Sequence, residues 1–196
     1  NKIKINNNFN LYPKVPTKFF LSIGRLTKQK NFSYLINEFY KFSLENDNID
    51  LVIIGEGEQK KLLLNLIKEK KIENRIFIIG FTDNVFYYMK KAEAFLLSSL
   101  WEEVGFVIVE SSFSNLYVIS SNCPNGPDEF LLNGKSGSLF NSNVSNELCL
   151  KMQEFLVENK KIIFEKKVLA KKQSKLYTMF NHQNILKKLV SNENIL

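Results

Sequence analysis

The apolar positions of this chain fall into short, mostly apolar runs separated by longer stretches of helical spacing. Runs at 19–23, 50–54, 75–79, 92–97 and 116–120 are too short for helices and are bounded by glycine, asparagine or charged clusters, the pattern of buried strands. Between them the apolar residues recur three and four apart. Phe32, Leu35, Ile36, Phe39 and Tyr40 do so after the first run, and the spacing predicts further helices over 58–71, over 84–91 and beyond Gly105. A glycine-rich turn at 133–137 leads into a short edge strand at 138–140, and from Asn143 onward only helical spacing remains. This alternation predicts an α/β fold, a Rossmann-like parallel sheet with helices on both faces and extra helices at the C-terminus.

In sheets of this kind ligands bind outside the carboxyl ends of the strands, so the loops carry the chemistry. The richest is 101–115, where Glu102 is expected on the loop, nearer the mouth of a cleft, and Glu110 on the following helix, standing over it. The N–H groups of Gly105, Phe106 and Val107 fall at that helix start, where unpaired donors and the helix dipole favour an anion. After the first strand, Gly24 permits a sharp turn from which Arg25 and Lys30 can converge on one anion. A solvated basic turn is the bland alternative. The 80–83 loop can form a further wall of the same cleft. The glycine pair at Gly55 and Gly57 lacks the third glycine of a dinucleotide fingerprint and is weak evidence for NAD.

Composition sharpens part of this picture. The net charge is +7, yet of 27 basic residues only Arg25 and Arg75 are arginine. Much of the excess reads as a lysine- and asparagine-rich coding bias, and against it Arg25 stands out, because its planar fork holds a phosphate as lysine cannot. Lysines far outnumber carboxylates between 151 and 188. They read either as solvated helix faces or as a contact for anionic lipid. No apolar run is long enough to cross a membrane and no signal segment opens the chain, so the expected location is cytoplasmic, with peripheral contact at the inner face of the membrane as an extension. Cys123 and Cys149 lack metal-ligand spacing and read as reduced thiols. His182 falls in the late helical region and reads as a surface residue. No triad, P-loop or Cys/His/Asp cluster is visible, so neither a metal nor another cofactor is expected, and aromatic-plus-basic interleaving for nucleic acid is absent.

Glu102 and Glu110, with Gly105 between them, resemble the glutamate-x7-glutamate motif of the family 4 retaining glycosyltransferases, which have the GT-B fold. Residues 19–140 resemble the nucleotide-sugar-binding C-terminal domain of that family. The resemblance implies one half of a GT-B enzyme, with residues 1–18 as a linker, 19–175 as the donor domain and 176–196 as a helix crossing to an N-terminal domain outside this chain. It implies that Arg25 and Lys30 clamp the donor diphosphate, that Glu102 faces the transferred sugar, and that Glu110 accepts the ribose hydroxyls. Backbone groups near Phe81 and Thr82 resemble the base-reading segment, and Gly55-Glu56-Gly57 the structural turn after the second strand. The implied partners are a nucleotide sugar, with a lean to UDP-linked N-acetylhexosamines from the pattern at 124–129, and a glycan or lipid-linked acceptor. Alone, the chain is expected to bind donor and transfer little, and its start at Asn1 suggests a domain boundary. Several positions depart from the family: Glu103 adds negative charge, Asn115 replaces a glycine at a turn that asparagine tolerates, and Tyr117 replaces a proline. A nucleotide-sugar epimerase half and a non-catalytic nucleotide- or polyanion-binding module are the competing readings.

Overall fold

A computed structural model describes residues 15–103 and 105–191. Six strands, β1 (Phe19–Ile23), β2 (Asp50–Ile54), β3 (Ile76–Ile79), β4 (Ala94–Leu97), β5 (Tyr117–Ser121) and β6 (Ser138–Phe140), form one sheet in the order β3-β2-β1-β4-β5-β6. Every neighbouring pair is parallel. The strands are largely apolar because both faces are covered, and alternate residues feed opposite cores. Phe20, Leu51 and Ile53 pack with Phe32, Leu35, Phe39, Leu63, Leu148 and Met152 on one side. Phe19, Leu21, Val52 and Ile54 pack with Tyr88, Phe95, Ile108 and Phe130 on the other.

The first face is covered by α1 (Phe32–Ser43), α2 (Lys60–Glu69) and α6 (Glu147–Val157), and the second by α3 (Val85–Met89), α4 (Phe106–Phe113) and α5 (Pro127–Phe130). Helices α2 and α3 are shorter at both ends than their spacing predicts. Two residues one turn apart on α1 fasten α6: the Tyr34 hydroxyl accepts from the Leu148 N–H, and the Glu38 carboxylate accepts from the Cys149 N–H at 3.3 Å. They satisfy donors in the first turn of α6 that no intrahelical carbonyl can reach. Glu38 is buried and is paired with Lys41 at 2.7 Å. Burial pushes the Tyr34 phenol far above its usual range.

Asn115 adopts φ 63° in the turn before β5, as expected of an asparagine standing where a glycine is usual. Tyr117 is buried, and its hydroxyl lies 2.9 Å from Ser138 Oγ on β6. Both cysteines are free and buried, and His182 is exposed. Beyond α6 the chain continues as α7 (Lys160–Ser174), a 3-10 turn at Lys175–Tyr177 and α8 (Met179–Ser191). Leu176, Met179, Phe180 and Leu186 are exposed there, while Tyr177 leans on Phe130 at 5.5 Å between ring centroids. The side chains of Ile185 and Leu189 in the expected crossing helix lie outside those described, as residues 1–14 of the expected linker and 192–196 lie outside the described residues. No described helix is long and apolar enough to cross a membrane.

Candidate functional site at the switch of strand order

The strand order reverses between β1 and β4, and that is where a crevice opens at the carboxyl edge of such a sheet. The loops leaving these two strands are bonded to each other. Ser98 Oγ donates to the Lys30 carbonyl at 2.8 Å, the Leu100 N–H donates to the Gln29 carbonyl at 2.8 Å, and Gln29 Nε2 donates to the Trp101 carbonyl at 2.9 Å. Lys30 ends a short 3-10 turn, Lys28–Lys30, and its stem crosses Gly24. A Cβ on Gly24 would stand 3.1–3.3 Å from three of its methylene carbons. Gly24 therefore leaves room for a lysine stem as well as for the turn. The Gly55 and Gly57 loop packs so closely on the first loop that a Cβ at Gly57 would stand 2.5 Å from the Leu26 carbonyl oxygen, which agrees with a structural role.

Lys30 Nζ reaches Glu102 Oε1 at 2.5 Å, with the two side chains 15% and 6% exposed. The Ser99 hydroxyl donates to the same oxygen, and the Glu102 N–H donates to the Pro124 carbonyl at 3.2 Å, which ties the loop after β4 to the loop after β5. Cys123 lies beside this pair; burial pushes its thiol up, and the Glu102 charge pushes in the same direction. The exposure of Glu102 differs from expectation. Glu102, expected nearer the mouth, is buried, because its backbone is held by the Pro124 carbonyl and its carboxylate turns inward to Lys30 and Ser99. Glu110 on α4 is exposed, and partial desolvation by the protein around it raises its carboxyl above the usual value.

Gly105 caps α4 in the left-handed conformation, φ 61°, which only a residue without a Cβ adopts at no cost. The N–H groups of Phe106 and Val107 then begin the helix, where no intrahelical carbonyl can reach them. Phe106 is exposed and Val107 half-buried. Arg25 is exposed on the loop after β1, and among the described residues neither its guanidinium nor the Glu110 carboxylate has a hydrogen-bond or ion-pair partner. Phe81, on the loop after β3, is 82% exposed, so its ring is no part of the core; Thr82 beside it is half-buried and its hydroxyl accepts from the Asn84 N–H.

The structure thus brings Lys30 and Glu102 into contact, sets Gly24 under the Lys30 stem, and places Arg25 and the Gly105 helix start on the loops that flank the same switch point. Phe81 and Thr82 occupy the corresponding loop two strands away. Ser99, which the sequence reading passed over, belongs to the same network; its position three residues before Glu102 was the available signal. Two cavities of about 250 and 360 Å³ flank β6 instead, and Arg25, Glu102 and Glu110 line neither.

Known proteins similar to this chain include an uncharacterised glycosyltransferase of Methanocaldococcus jannaschii, 38% identical over 112 residues, 57% of this chain and 28% of that protein. An N-acetylgalactosamine-N,N'-diacetylbacillosaminyl-diphospho-undecaprenol 4-alpha-N-acetylgalactosaminyltransferase of Campylobacter jejuni is 33% identical over 143 residues, 73% of this chain and 38% of that protein. The chain therefore spans well under half the length of either. Among solved structures, Anabaena HepE in complex with UDP superposes with a TM-score of 0.77 at 21% identity, covering 88% of this chain and 48% of that one. The C-terminal domain of LpcC, a group 1 family protein from Francisella tularensis, superposes with a TM-score of 0.72 at 20% identity, covering 83% and 87%. These two share the fold, a parallel sheet of the GT-B type. With the family model described as glycosyl transferases group 1 matching residues 4–175, the chain belongs to that family.

Proposed function

We propose that this chain is the donor-binding half of a retaining glycosyltransferase, taking a UDP-linked hexose or N-acetylhexosamine for transfer to a glycan or lipid-linked acceptor. The observation that supports this most is the Lys30–Glu102 pair beneath the loops that also carry Arg25 and the start of α4. A nucleotide sugar has a diphosphate, a ribose diol and a sugar whose bond to phosphate must break. Arg25, Lys30 and the N–H groups of Gly105, Phe106 and Val107 offset the charge that develops on the departing diphosphate, with no metal assigned to that task. Glu110, exposed and free of a described partner, accepts from the ribose hydroxyls. Glu102 serves the transferred sugar, and backbone near Phe81 and Thr82 reads the base.

The remaining assignments follow from the same reading. Residues 19–175 form the donor domain, and residues from 176 on cross to an N-terminal domain that supplies the acceptor site. The exposed Leu176, Met179, Phe180 and Leu186 support that docking. The Campylobacter relative is named for a diphospho-undecaprenol substrate, which supports a lipid-linked acceptor met at the cytoplasmic face of a membrane. The test is transfer by the full-length protein from a panel of UDP-sugars, with the anomeric configuration of the product followed by proton NMR. The expected product keeps the donor's configuration and is lost in Arg25→Ala. An inverted product contradicts the retaining assignment, and binding of polyanions without transfer contradicts the enzymatic one.

A further inference from the structure

Glu102 has two carboxylate oxygens, and the described protein uses only one of them. Lys30 Nζ and Ser99 Oγ both donate to Oε1, and no described residue donates to Oε2. The arrangement is rigid at each member. Ser99 is fully buried, and its carbonyl is held from two sides, by Ser121 Oγ of β5 at 2.7 Å and by Ser142 Oγ at 3.1 Å. Lys30 is held at its carbonyl by Ser98 Oγ, and its stem runs over Gly24, where a Cβ would crowd it. Among the described residues Lys30 and Ser99 are the only groups that hydrogen-bond the Glu102 carboxylate, which lies 5% exposed. With Lys30 alone, either oxygen could take the ammonium, because a lysine is a point charge without directional preference. The hydroxyl adds the direction.

We infer that Ser99 is a positioning residue of the donor site: with its carbonyl held from β5 and the loop after β6, its hydroxyl fixes Glu102 through Oε1 and so presents Oε2 to a hydroxyl of the bound sugar. The inference rests on the donor-site reading above and deepens it. Ser99 touches neither donor nor acceptor and acts only through Glu102. It follows that Ser99 matters for the sugar and not for the nucleotide, since the diphosphate is met by Arg25, Lys30 and the helix start.

The test is calorimetric titration of this chain, wild type and Ser99→Ala, with UDP and with the UDP-sugar that the wild type binds most tightly among UDP-glucose, UDP-galactose and their N-acetyl forms. Ser99→Ala is expected to keep its UDP affinity within about twofold, which also shows that the variant is folded. Its affinity for the UDP-sugar is expected to fall roughly tenfold, the effect of losing one hydrogen bond to a charged group. Equal losses for both ligands, or no loss for either, overturn the inference and leave the donor site standing. Wild-type protein that binds UDP but gains nothing from any sugar overturns it too. Wild-type protein that binds none of these ligands overturns the donor reading along with it.

Discussion

Replacing Lys30 by methionine tests the buried ion pair through stability, before any ligand is added. The change keeps the length and apolar stem that crosses Gly24 and removes the ammonium. Glu102, whose side chain is 6% exposed, is then left with the Ser99 hydroxyl as its one described donor. Removing one partner of a buried pair typically costs about 3–5 kcal/mol. Lys30 retains 15% exposure and the Ser99 bond survives, so the lower end applies, about 3 kcal/mol. In a domain of this size that lowers Tm by roughly 6–12 °C. Adding Glu102→Gln removes the stranded charge and keeps an acceptor for Ser99, so the double variant recovers about 1–2 kcal/mol relative to Lys30→Met alone. The assay is urea unfolding followed by circular dichroism, with all variants at one ionic strength. Lys30→Met within 0.5 kcal/mol of wild type, or a double variant whose cost equals the sum of the two single changes, refutes the pair as a coupled, desolvated unit.

Glu110 gives a pH prediction. Its carboxyl is raised by desolvation, so the ionised form needed to accept ribose hydroxyls is lost, as pH falls, at a higher pH than for an ordinary glutamate. UDP-glucose affinity should therefore weaken on acidification with a midpoint above 4.5, and Glu110→Gln should abolish that dependence; a midpoint at or below the ordinary value contradicts the assignment. The stability sign is the reverse: a raised carboxyl favours folding below its unfolded value and loses that contribution as pH rises, so Glu110→Gln stabilises the fold slightly at pH 7 and has no such effect near pH 4. Gly105→Ala forces a Cβ into φ 61°; it should cost about 1–2 kcal/mol and weaken UDP binding through the helix start, and unchanged melting would contradict the strain. Glu38→Ala strands the Cys149 N–H at the start of α6; it should cost about 1–3 kcal/mol in urea unfolding, with no effect on nucleotide affinity.

The strands were legible because burial on both faces writes largely apolar runs, and the helices between them because Phe32, Leu35, Ile36 and Phe39 repeat at the spacing of one covered face. The helix ends were less so: α2 has no capping side chain at Gln59 to fix its start, and Asn84, read as the first residue of α3, instead caps it from outside by accepting from the Tyr87 N–H. The candidate site residues were picked out by spacing and by the rarity of arginine, which singled out Arg25, and the structure sets Arg25, Lys30 and Glu102 on the loops that leave β1 and β4. What the sequence did not reveal was the direction in which Glu102 turns. That depends on the Pro124 carbonyl holding its backbone, on Lys30 reaching its oxygen from a loop 72 positions away, and on Ser99 meeting the same oxygen from within its own loop. Ser99 escaped although it lies only three residues before Glu102, since a serine just past a buried strand draws no notice until the inward turn of the Glu102 carboxylate is seen. The Tyr34 and Glu38 clamp on α6 likewise joins residues more than a hundred positions apart, and no local pattern marks it.

The most direct measurement is calorimetric titration of this chain with UDP and GDP, wild type beside Arg25→Ala and Glu110→Ala. Saturable binding of UDP, weaker binding of GDP, and loss of binding in both variants is the predicted result. It would join the exposed guanidinium and the exposed carboxylate in one nucleotide site. Folded wild-type protein that binds neither nucleotide, or binds UDP equally well without Arg25 and Glu110, would contradict the account at its centre.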